Sequence, residues 1–355
     1  MRFWLALNYI PGIGKVVYST LVERFGNPAG VFEATIQELT AIKGLRRETA
    51  SVIKGFKDWG WVEQEMALME RHDVSILTIK DKGYPKNLLT TYDPPPYLYI
   101  KGRIEEVDNV AVAVVGSRIP TPYGISVAER MAGELASNGV TVVSGMARGI
   151  DSAAHRGALR ANGRTIAVLG CGVDVIYPKE NKRLYEEICS SGAVISEFPM
   201  GTPPYRANFP LRNRVISGLS LGVVVVEAGA RSGSLITARL ALEAGREVFA
   251  IPGSITSYRS KGTNRLLKEG AKLVEDVGDI LEEFSLSKRL AEDPSPRVSS
   301  QEERILDLLC DEPLFIDTII QRTGLPAQQV MSLLLTLELK GFISQQPGMF
   351  FMKRI

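Results

Sequence analysis

Two short loops carry residues that could bind an anion. Gly116-Ser117-Arg118 follows the apolar, β-branched run Val110–Val115, and Ser144-Gly145-Met146-Ala147-Arg148-Gly149-Ile150-Asp151 follows a second apolar run, Val140–Val143. Such runs are typical of strands that are buried on both faces of a parallel sheet. The carboxyl ends of parallel strands meet at one edge of an open sheet, and ligands bind there. Because helix N-termini and bare backbone amides favour negative charge, the two loops predict a phosphate site.

Side chains and bare backbone in both loops suit that ligand. Ser117 can donate a hydroxyl hydrogen bond, and Arg118 a two-pronged one, to the same phosphate. An alternative for Arg118 is an ion pair with Asp151, whose own simplest role is to cap the following helix. Four small residues would let a ligand approach the backbone of the second loop, and they are Ser144, Gly145, Ala147 and Gly149.

Two further loops complete the predicted edge of the sheet. Lys179 follows Tyr177-Pro178 after the third strand, and it could supply a point charge to a phosphate or be an ordinary exposed lysine. Gly229-Ala230-Arg231-Ser232-Gly233-Ser234 follows the most apolar strand and precedes a predicted helix. Gly233 and Ser234 would then present amides at a helix start, which predicts another phosphate loop.

The stretch Phe209-Pro210-Leu211-Arg212-Asn213-Arg214 is the sharpest of these signals. It lies at a predicted helix start, where the side-chain donors of Arg212, Asn213 and Arg214 converge. Phe209 could offer a stacking face to a nucleic-acid base or could belong to the core, and Arg214 could instead form a salt bridge with Glu227.

The alternation of strands and helices fixes the fold class of the centre of the chain. From Val110 to about Phe284 the two patterns alternate, which predicts a doubly wound parallel α/β sheet with right-handed crossovers. Within this core, assigned to residues 73–285, residues 73–108 are a turn-rich connector with short strands near 74–79 and 97–101.

The two ends of the chain predict smaller domains. Residues 1–72 show helical patterns around glycine turns at 10–15 and 42–46, which could hold DNA phosphate or could be packed turns without a ligand. Residues 286–300 are charged and contain prolines, which is typical of a linker. Residues 301–355 predict three helices and a hairpin, the pattern of a winged helix, but the third helix has no arginine. We therefore expect a protein-contact or structural module rather than a reader of DNA.

Composition sets broad limits on function. The chain has 355 residues and a net charge of +2, with 45% hydrophobic and 23% charged residues, as in an ordinary globular protein of two or three domains. Residues 200–270 hold ten Lys/Arg against four Glu, whereas residues 275–312 hold four against twelve acidic residues. This asymmetry predicts a basic face on the central domain, or is a chance distribution over solvated surfaces.

Several function classes receive no support. Three cysteines and two histidines have no metal-ligand spacing, so no metal is expected, the cysteines are expected to be reduced, and His155 is expected to be structural. No apolar run is long enough to span a membrane. The apolar Phe3–Ile10 is expected to be a helix rather than a signal peptide. No G-x-G-x-x-G opens the first helix of the core, which argues against a dinucleotide dehydrogenase.

Taken together, these stretches resemble the DNA-processing protein A family (DprA, also called Smf). The further motifs that carry the resemblance are Glu227-Ala228-Gly229, Ser232-Gly233-Ser234, Ile251-Pro252-Gly253 and Gly262-Thr263-Asn264. The resemblance covers nearly the whole chain. It implies an extended Rossmann-like fold, with an N-terminal helix-hairpin-helix or SAM-like domain and a C-terminal winged helix.

The resemblance also implies a function. It implies a cytoplasmic bacterial protein that binds single-stranded DNA, protects incoming strands and helps to load RecA during natural transformation. A homodimer through the Rossmann-like domain is implied, with no catalytic residues, cofactor or enzymatic turnover. The expected DNA-binding residues are Ser117, Arg118, Ser144, Gly145, Ala147, Gly149, Lys179, Phe209, Arg212, Asn213, Arg214, Gly233 and Ser234.

Two other functions stay open at this point. One is a nucleotide-processing enzyme, because the Gly229–Ser234 loop resembles the Pro-Gly-Gly-x-Gly-Thr-x-x-Glu loop of the phosphoribohydrolases. Thr237 stands where those enzymes need the final glutamate, which argues against this activity. The other is a nucleotide-sensing regulator whose winged helix is the effector.

Overall fold

A computed structural model describes residues 1–286, 300–309, 313–339, 342–346 and 348–353. The chain divides into two compact units, Met1–Lys288 and Arg289–Ile355. The predicted linker at 286–300 lies outside the described residues except for its two ends, and Cys310 also lies outside them. The first unit contains both the N-terminal helices and the large sheet.

Six helices occupy the start of the chain, in agreement with the helical patterns there. They are α1 (Arg2–Tyr9), α2 (Lys15–Phe25), α3 (Pro28–Glu33), α4 (Ile36–Thr40), α5 (Arg47–Lys54) and α6 (Trp59–Arg71). Their apolar faces meet in a core that includes Leu7, Leu21 and Ile53. The two predicted glycine turns join α1 to α2 and α4 to α5. The Nζ of Lys15, the last residue of the first turn, lies 2.7 Å from the Glu197 carboxylate, so the end of this turn contacts the sheet domain.

A sheet of nine strands, counted over the described residues, forms the centre of the first unit. The strands are β1 (Ser75–Thr78), β2 (Tyr97–Gly102), β3 (Ala111–Val115), β4 (Thr141–Ser144), β5 (Thr165–Val168), β6 (Ala193–Ser196), β7 (Gly222–Val225), β8 (Glu247–Ala250) and β9 (Lys272–Leu273). Their order is β1-β2-β6-β5-β4-β3-β7-β8-β9. The seven strands from β6 to β9 in this spatial order are parallel to their neighbours. At the other edge β1 pairs antiparallel with β2, and β2 pairs antiparallel with β6. The predicted parallel sheet is confirmed.

Helices cover both faces of this sheet. They are α7 (Lys86–Leu89), α8 (Pro122–Ser137), α9 (Ile150–Arg160), α10 (Lys182–Ser191), α11 (Asn208–Leu219), α12 (Ser234–Glu243), α13 (Lys261–Lys268) and α14 (Gly278–Glu283). Strand β3 shows why its sequence is apolar throughout. Val112 and Val114 pack with α8, α9 and α14, while Ala113 and Val115 pack with α7, α11, α12 and α13. Successive side chains thus enter different cores, and neither side of the strand meets water.

The strand order reverses at β3. The chain proceeds from β3 through β4 and β5 to β6 on one side, and then from β7 through β8 to β9 on the other. Loops that leave β3 and β7 therefore diverge and open a crevice at the carboxyl edge, which is where ligands bind in such sheets.

The second unit has the predicted winged-helix elements. They are α15 (Ser300–Leu308), β10 (Leu314–Phe315), α16 (Ile316–Thr323), α17 (Ala327–Leu339), β11 (Ile343–Gln346) and β12 (Phe350–Lys353). The three strands are antiparallel in the order β10-β12-β11. On α17 the side chains of Met331 and Leu335 are more than half exposed. A search of the described residues finds no helix with the length and apolarity needed to cross a membrane.

Candidate functional site

A cavity of about 830 Å³ opens at the carboxyl edge of the sheet. The loops that follow β3, β4, β5, β6, β7 and β8 all contribute to its wall, together with the first turns of α11 and α12. The structure brings most of the predicted site residues to this cavity, namely Ser117, Arg118, Ala147, Phe209, Arg212, Asn213, Gly233 and Ser234. A smaller cavity shares Arg118, Ala147 and Phe209 with it and adds Gly145.

The wall of the large cavity is positively charged. Four arginines line it, together with one carboxylate, Asp151, and these arginines are Arg118, Arg206, Arg212 and Arg231. Three of them are exposed, whereas Arg212 is buried. Within the described part of the chain, none of the three exposed guanidinium groups has a carboxylate partner within 4.0 Å. The cavity therefore offers unpaired positive charge to an anion.

Arg118 lies beside an aromatic ring. Its guanidinium carbon is 5.4 Å from the centroid of the half-buried Phe209 ring, within the range of a cation–π contact. The Tyr177 ring is 5.7 Å from the same ring. Cationic and aromatic groups thus lie together where the sequence predicted a phosphate loop.

Asp151 holds the second loop in place. It lies in the first turn of α9, whose N-cap is Gly149, so the interpretation of Asp151 as the cap is wrong. Its carboxylate accepts a hydrogen bond from the Gly145 amide (3.2 Å) and forms no ion pair with Arg118. Burial raises the pKa of this carboxyl group, and the nearby Arg212 opposes the shift.

Arg212 has a different position from the one that the sequence suggested. Its side chain is 4% exposed, and its Nη1 donates to the carbonyl oxygens of Gly145 (2.7 Å) and Val168. Its Nε donates to Asn213 Oδ1 at 3.2 Å. Burial lowers the pKa of Arg212 to about 10. A guanidinium that already binds two carbonyls connects the loop after β4 to the end of β5, so its first role is to position the cavity wall.

The absence of a side chain at Gly145 is required by this arrangement. A Cβ there would lie 2.6 Å from Arg212 Nη2 and 2.7 Å from its guanidinium carbon. These distances are far below van der Waals contact, so any larger residue would displace the guanidinium.

Two small residues among the predicted ligand contacts have packing roles in the structure. Ser144 is fully buried, and its hydroxyl donates to the Val114 carbonyl at 2.7 Å. Gly149 has φ +79°, and a Cβ there would clash with the Ser117 carbonyl oxygen and lie 2.7 Å from Pro120 Cδ. Gly149 is thus the place where the first loop packs against the second. Neither residue lines either cavity.

Arg214 and Lys179 are also not among the residues that line the two cavities. Arg214 is two positions after Arg212 on a helix, and such residues point in nearly opposite directions. Its guanidinium pairs with Glu197 and donates to the Asp93 carbonyl at 2.6 Å. The alternative pair with Glu227 is also wrong, because that carboxylate accepts the Thr121 amide at 2.9 Å. Lys179 is exposed in a short 3₁₀ turn.

Among the cationic and aromatic residues of the cavity wall, four were not predicted as site residues, namely Tyr177, Arg206, Arg231 and Tyr258. Arg231 and Tyr177 lie inside motifs that the sequence analysis identified, so their cationic and aromatic side chains were the signal that could have predicted them. Arg206 and Tyr258 come from segments without a motif of their own.

His155 is buried against β5. Its Nδ1 lies 2.7 Å from Thr165 Oγ1, and that hydroxyl donates its own hydrogen to the Val142 carbonyl. Nδ1 must therefore carry the hydrogen, which leaves Nε2 as a buried acceptor without a partner. Burial lowers the pKa of His155 to about 3. In the described residues no cluster of side chains could hold a metal ion.

Comparison with protein families finds a match within each of the two units. Residues 75–285 match the family described as DNA recombination-mediator protein A, and residues 289–349 match the DprA winged helix domain. The chain is 41% identical to Protein Smf of Escherichia coli (strain K12), over 81% of this chain and 79% of that protein. It is 49% identical to the DNA processing protein DprA of Streptococcus pneumoniae, over 71% of this chain and 88% of that one.

Solved structures agree with this assignment. The X-ray structure of DNA processing protein A from Streptococcus pneumoniae superimposes with a TM-score of 0.71 and 38% identity, covering 80% of this chain and 98% of that one. A structure of DNA processing protein A from Helicobacter pylori, whose title describes its single-stranded DNA binding mode, has a TM-score of 0.54 and 33% identity, covering 60% and 96%. The Rossmann-like sheet, the winged helix and the sequence matches show that this chain belongs to the DprA/Smf family.

Proposed function

We propose that this protein binds single-stranded DNA without reading its sequence, and that the large cavity is the binding site. The observation that carries the proposal is the Arg118 guanidinium beside the Phe209 ring, in a wall with further unpaired arginines. Single strands bind where a positive groove follows the phosphates and aromatic rings stack on bases. The related Helicobacter pylori protein, by its title, binds single-stranded DNA, which supports the same function here.

The cavity wall suits phosphates from two directions. Arg118 and Ser117 face it from the loop after β3, and Arg231 faces it from the loop after β7. The ten-residue helix α12 begins at Ser234, so its first amides and its positive dipole end are close to the same space. Phosphates carry no sequence information, and stacking tolerates every base, so binding by these groups is independent of sequence.

The cellular role that we propose follows from family membership. We infer that the protein protects incoming DNA strands in the cytoplasm, loads RecA onto them and acts as a homodimer without enzymatic turnover. The enzymatic alternative is less favoured, because Thr237 lines the cavity where phosphoribohydrolases need a glutamate. The carboxylate at the cavity, Asp151, already accepts a backbone amide.

Fluorescence anisotropy with labelled oligonucleotides tests the binding function. We expect tight binding of single strands of any sequence, weaker binding of duplex, and a falling affinity as salt increases. Each neutralised phosphate contributes about −0.7 to the slope of log K against log salt, so three unpaired arginines predict a slope near −2. Absence of binding at low salt would contradict the proposal.

A matched pair of variants locates the binding site. Arg118→Gln removes an exposed cation of the cavity and should weaken single-strand binding. Arg183→Gln removes an exposed cation of α10, which pairs with Glu187 outside the cavity and should change little. Equal losses in both variants would mean that general surface charge, and not the cavity, binds the strand. RecA loading is tested separately by filament growth on strands covered with single-strand-binding protein, and the homodimer by light scattering.

A further inference from the structure

We propose that the cavity takes more than one nucleotide of the strand, and that Tyr258 provides the stacking surface for a second base. This inference rests on the proposed binding of single-stranded DNA. It assigns a function to the wall of the cavity that the loops after β7 and β8 form. The only stacking residue that the sequence predicted, Phe209, lies outside that wall.

The cavity has two walls of similar chemistry. One wall has the cation Arg118 and the ring Phe209, and the other has the cation Arg231 and the ring Tyr258. Sites for drug-sized ligands have volumes of about 300–1,000 Å³, and this cavity of about 830 Å³ is in the upper part of that range. A single base stacked at Phe209 would leave the second wall unused.

Tyr258 is exposed, and the segment that carries it is anchored to neighbouring loops. Its side chain is 62% exposed, and its ring lies so close to Gly229 that a Cβ there would be 2.9 Å from Cε1. The adjacent Arg259 donates from Nε to the Ile119 carbonyl at 2.8 Å. The Gly262 amide donates to the Ala228 carbonyl at 2.7 Å. An anchored segment loses little backbone entropy when a base stacks on a ring that it carries.

The described residues give Tyr258 no other interaction that would explain its position. Its hydroxyl makes no hydrogen bond to them, and its ring stacks on no other ring among them. Tyr205 is similarly exposed but does not line the cavity. Tyr258 therefore combines exposure, an anchored backbone and a place in a cationic wall.

The cation needed for the second phosphate lies on the same wall. Arg231 is exposed and forms no ion pair within the described part of the chain. It is followed by Ser232, whose hydroxyl lies 2.8 Å from that of Ser234 at the start of α12. A phosphate here would receive the guanidinium, a hydroxyl group and helix amides together.

A length series tests the proposal with the full chain. The probes are 5′-phosphorylated thymidine oligonucleotides of one to four residues, used as competitors of a labelled 20-mer. For the wild type we expect affinity to rise at each added residue within the cavity. Tyr258→Ala should remove one of these increments, a loss of about 5- to 150-fold, which is the range for stacking one base. Tyr258→Phe should retain the increment, and Tyr92→Ala, at a 93% exposed tyrosine outside the cavity, should have no effect.

A probe without one base makes the test independent of any variant. This probe is an oligonucleotide that lacks the base at the nucleotide whose increment Tyr258→Ala removes. The wild-type protein should bind this probe as weakly as the Tyr258→Ala variant binds the intact oligonucleotide. If Tyr258→Ala keeps every increment while Arg118→Gln weakens binding, the second stacking surface is refuted and the proposed function remains. If neither variant changes binding, the proposed function itself fails.

Discussion

The buried position of Arg212 predicts that substitution of two arginines of the same cavity affects different properties. Loss of Arg212 should lower stability, and loss of Arg118 should weaken DNA binding. Arg212→Met removes a guanidinium that donates to the carbonyls of Gly145 and Val168. Arg118→Met removes a guanidinium that is exposed. Methionine keeps most of the side-chain volume in both cases, so the comparison isolates the charge and its hydrogen bonds.

The expected magnitude follows from these contacts. A buried carbonyl that loses its only strong donor costs about 1–3 kcal/mol, and Arg212 serves two of them. The same substitution removes the positive charge that opposes the raised pKa of the buried Asp151. The two carbonyl losses together therefore give about 2–6 kcal/mol. This is a large part of the 5–15 kcal/mol by which a typical domain is stable.

Urea unfolding followed by far-ultraviolet circular dichroism measures the effect. We expect a much lower midpoint for Arg212→Met, with an unchanged slope, and a wild-type midpoint for Arg118→Met. Oligonucleotide anisotropy on the same samples should show weakened binding for Arg118→Met despite its intact fold. A wild-type midpoint for Arg212→Met would refute the reasoning, because it would mean that the two carbonyls do not depend on the guanidinium.

Three further predictions concern stability. Burial lowers the pKa of His155 to about 3, against 6.5 for a free histidine. Between these two values the unfolded chain binds a proton that the folded chain does not, so the free energy of unfolding falls as pH decreases from 6.5 towards 3, by at most about 1.4 kcal/mol per pH unit. His155→Gln should flatten this dependence when urea unfolding is measured across pH 4–7. Gly149→Ala should lower the melting temperature through its positive φ and its clash, whereas Gly233→Ala, at φ −63° with no atom within 4 Å, should keep the melting temperature and hinder only oligonucleotide binding. Arg214→Leu leaves the buried Glu197 carboxylate without its closest partner and should lower the free energy of unfolding by about 3–5 kcal/mol. The folded fraction should retain wild-type affinity for single strands. A weakened affinity would place Arg214 in the site after all.

The fold was predictable from sequence wherever burial alone determined the pattern. The sequences of strands β3 and β7 are continuous apolar runs because both faces of each strand pack against helices. The two-residue strands β9 and β10 have no such pattern, because pairing with neighbouring strands defines them. The glycine turns between the N-terminal helices were located correctly, but the contact of Lys15 with Glu197 depends on chain segments 182 residues apart.

The site was predictable at the level of loops but less so at the level of side chains. Parallel topology alone brings the ends of β3, β4 and β7 to one edge, and Ser117 and Gly233 line the same cavity there. Which way a side chain points depends on contacts across the fold. The Ser144 hydroxyl is bound by a carbonyl of the neighbouring strand, and that partner is 30 residues away in sequence. Tyr258 reaches the cavity only because its segment folds back over Gly229.

The cavity therefore contains arginines with two separate physical roles. A guanidinium that is buried and bonded to carbonyls fixes the distance between a loop and a strand end, and those carbonyl dipoles already neutralise part of its charge. A guanidinium that is exposed and unpaired keeps its donors for an incoming phosphate. Arg212 is of the first kind, and Arg118 and Arg231 are of the second. A rigid buried donor that holds the loops lets the exposed donors meet a strand without first paying the entropy of ordering them. On the proposed function we expect both kinds to be needed for binding of the strand, and only the exposed kind to set its dependence on salt.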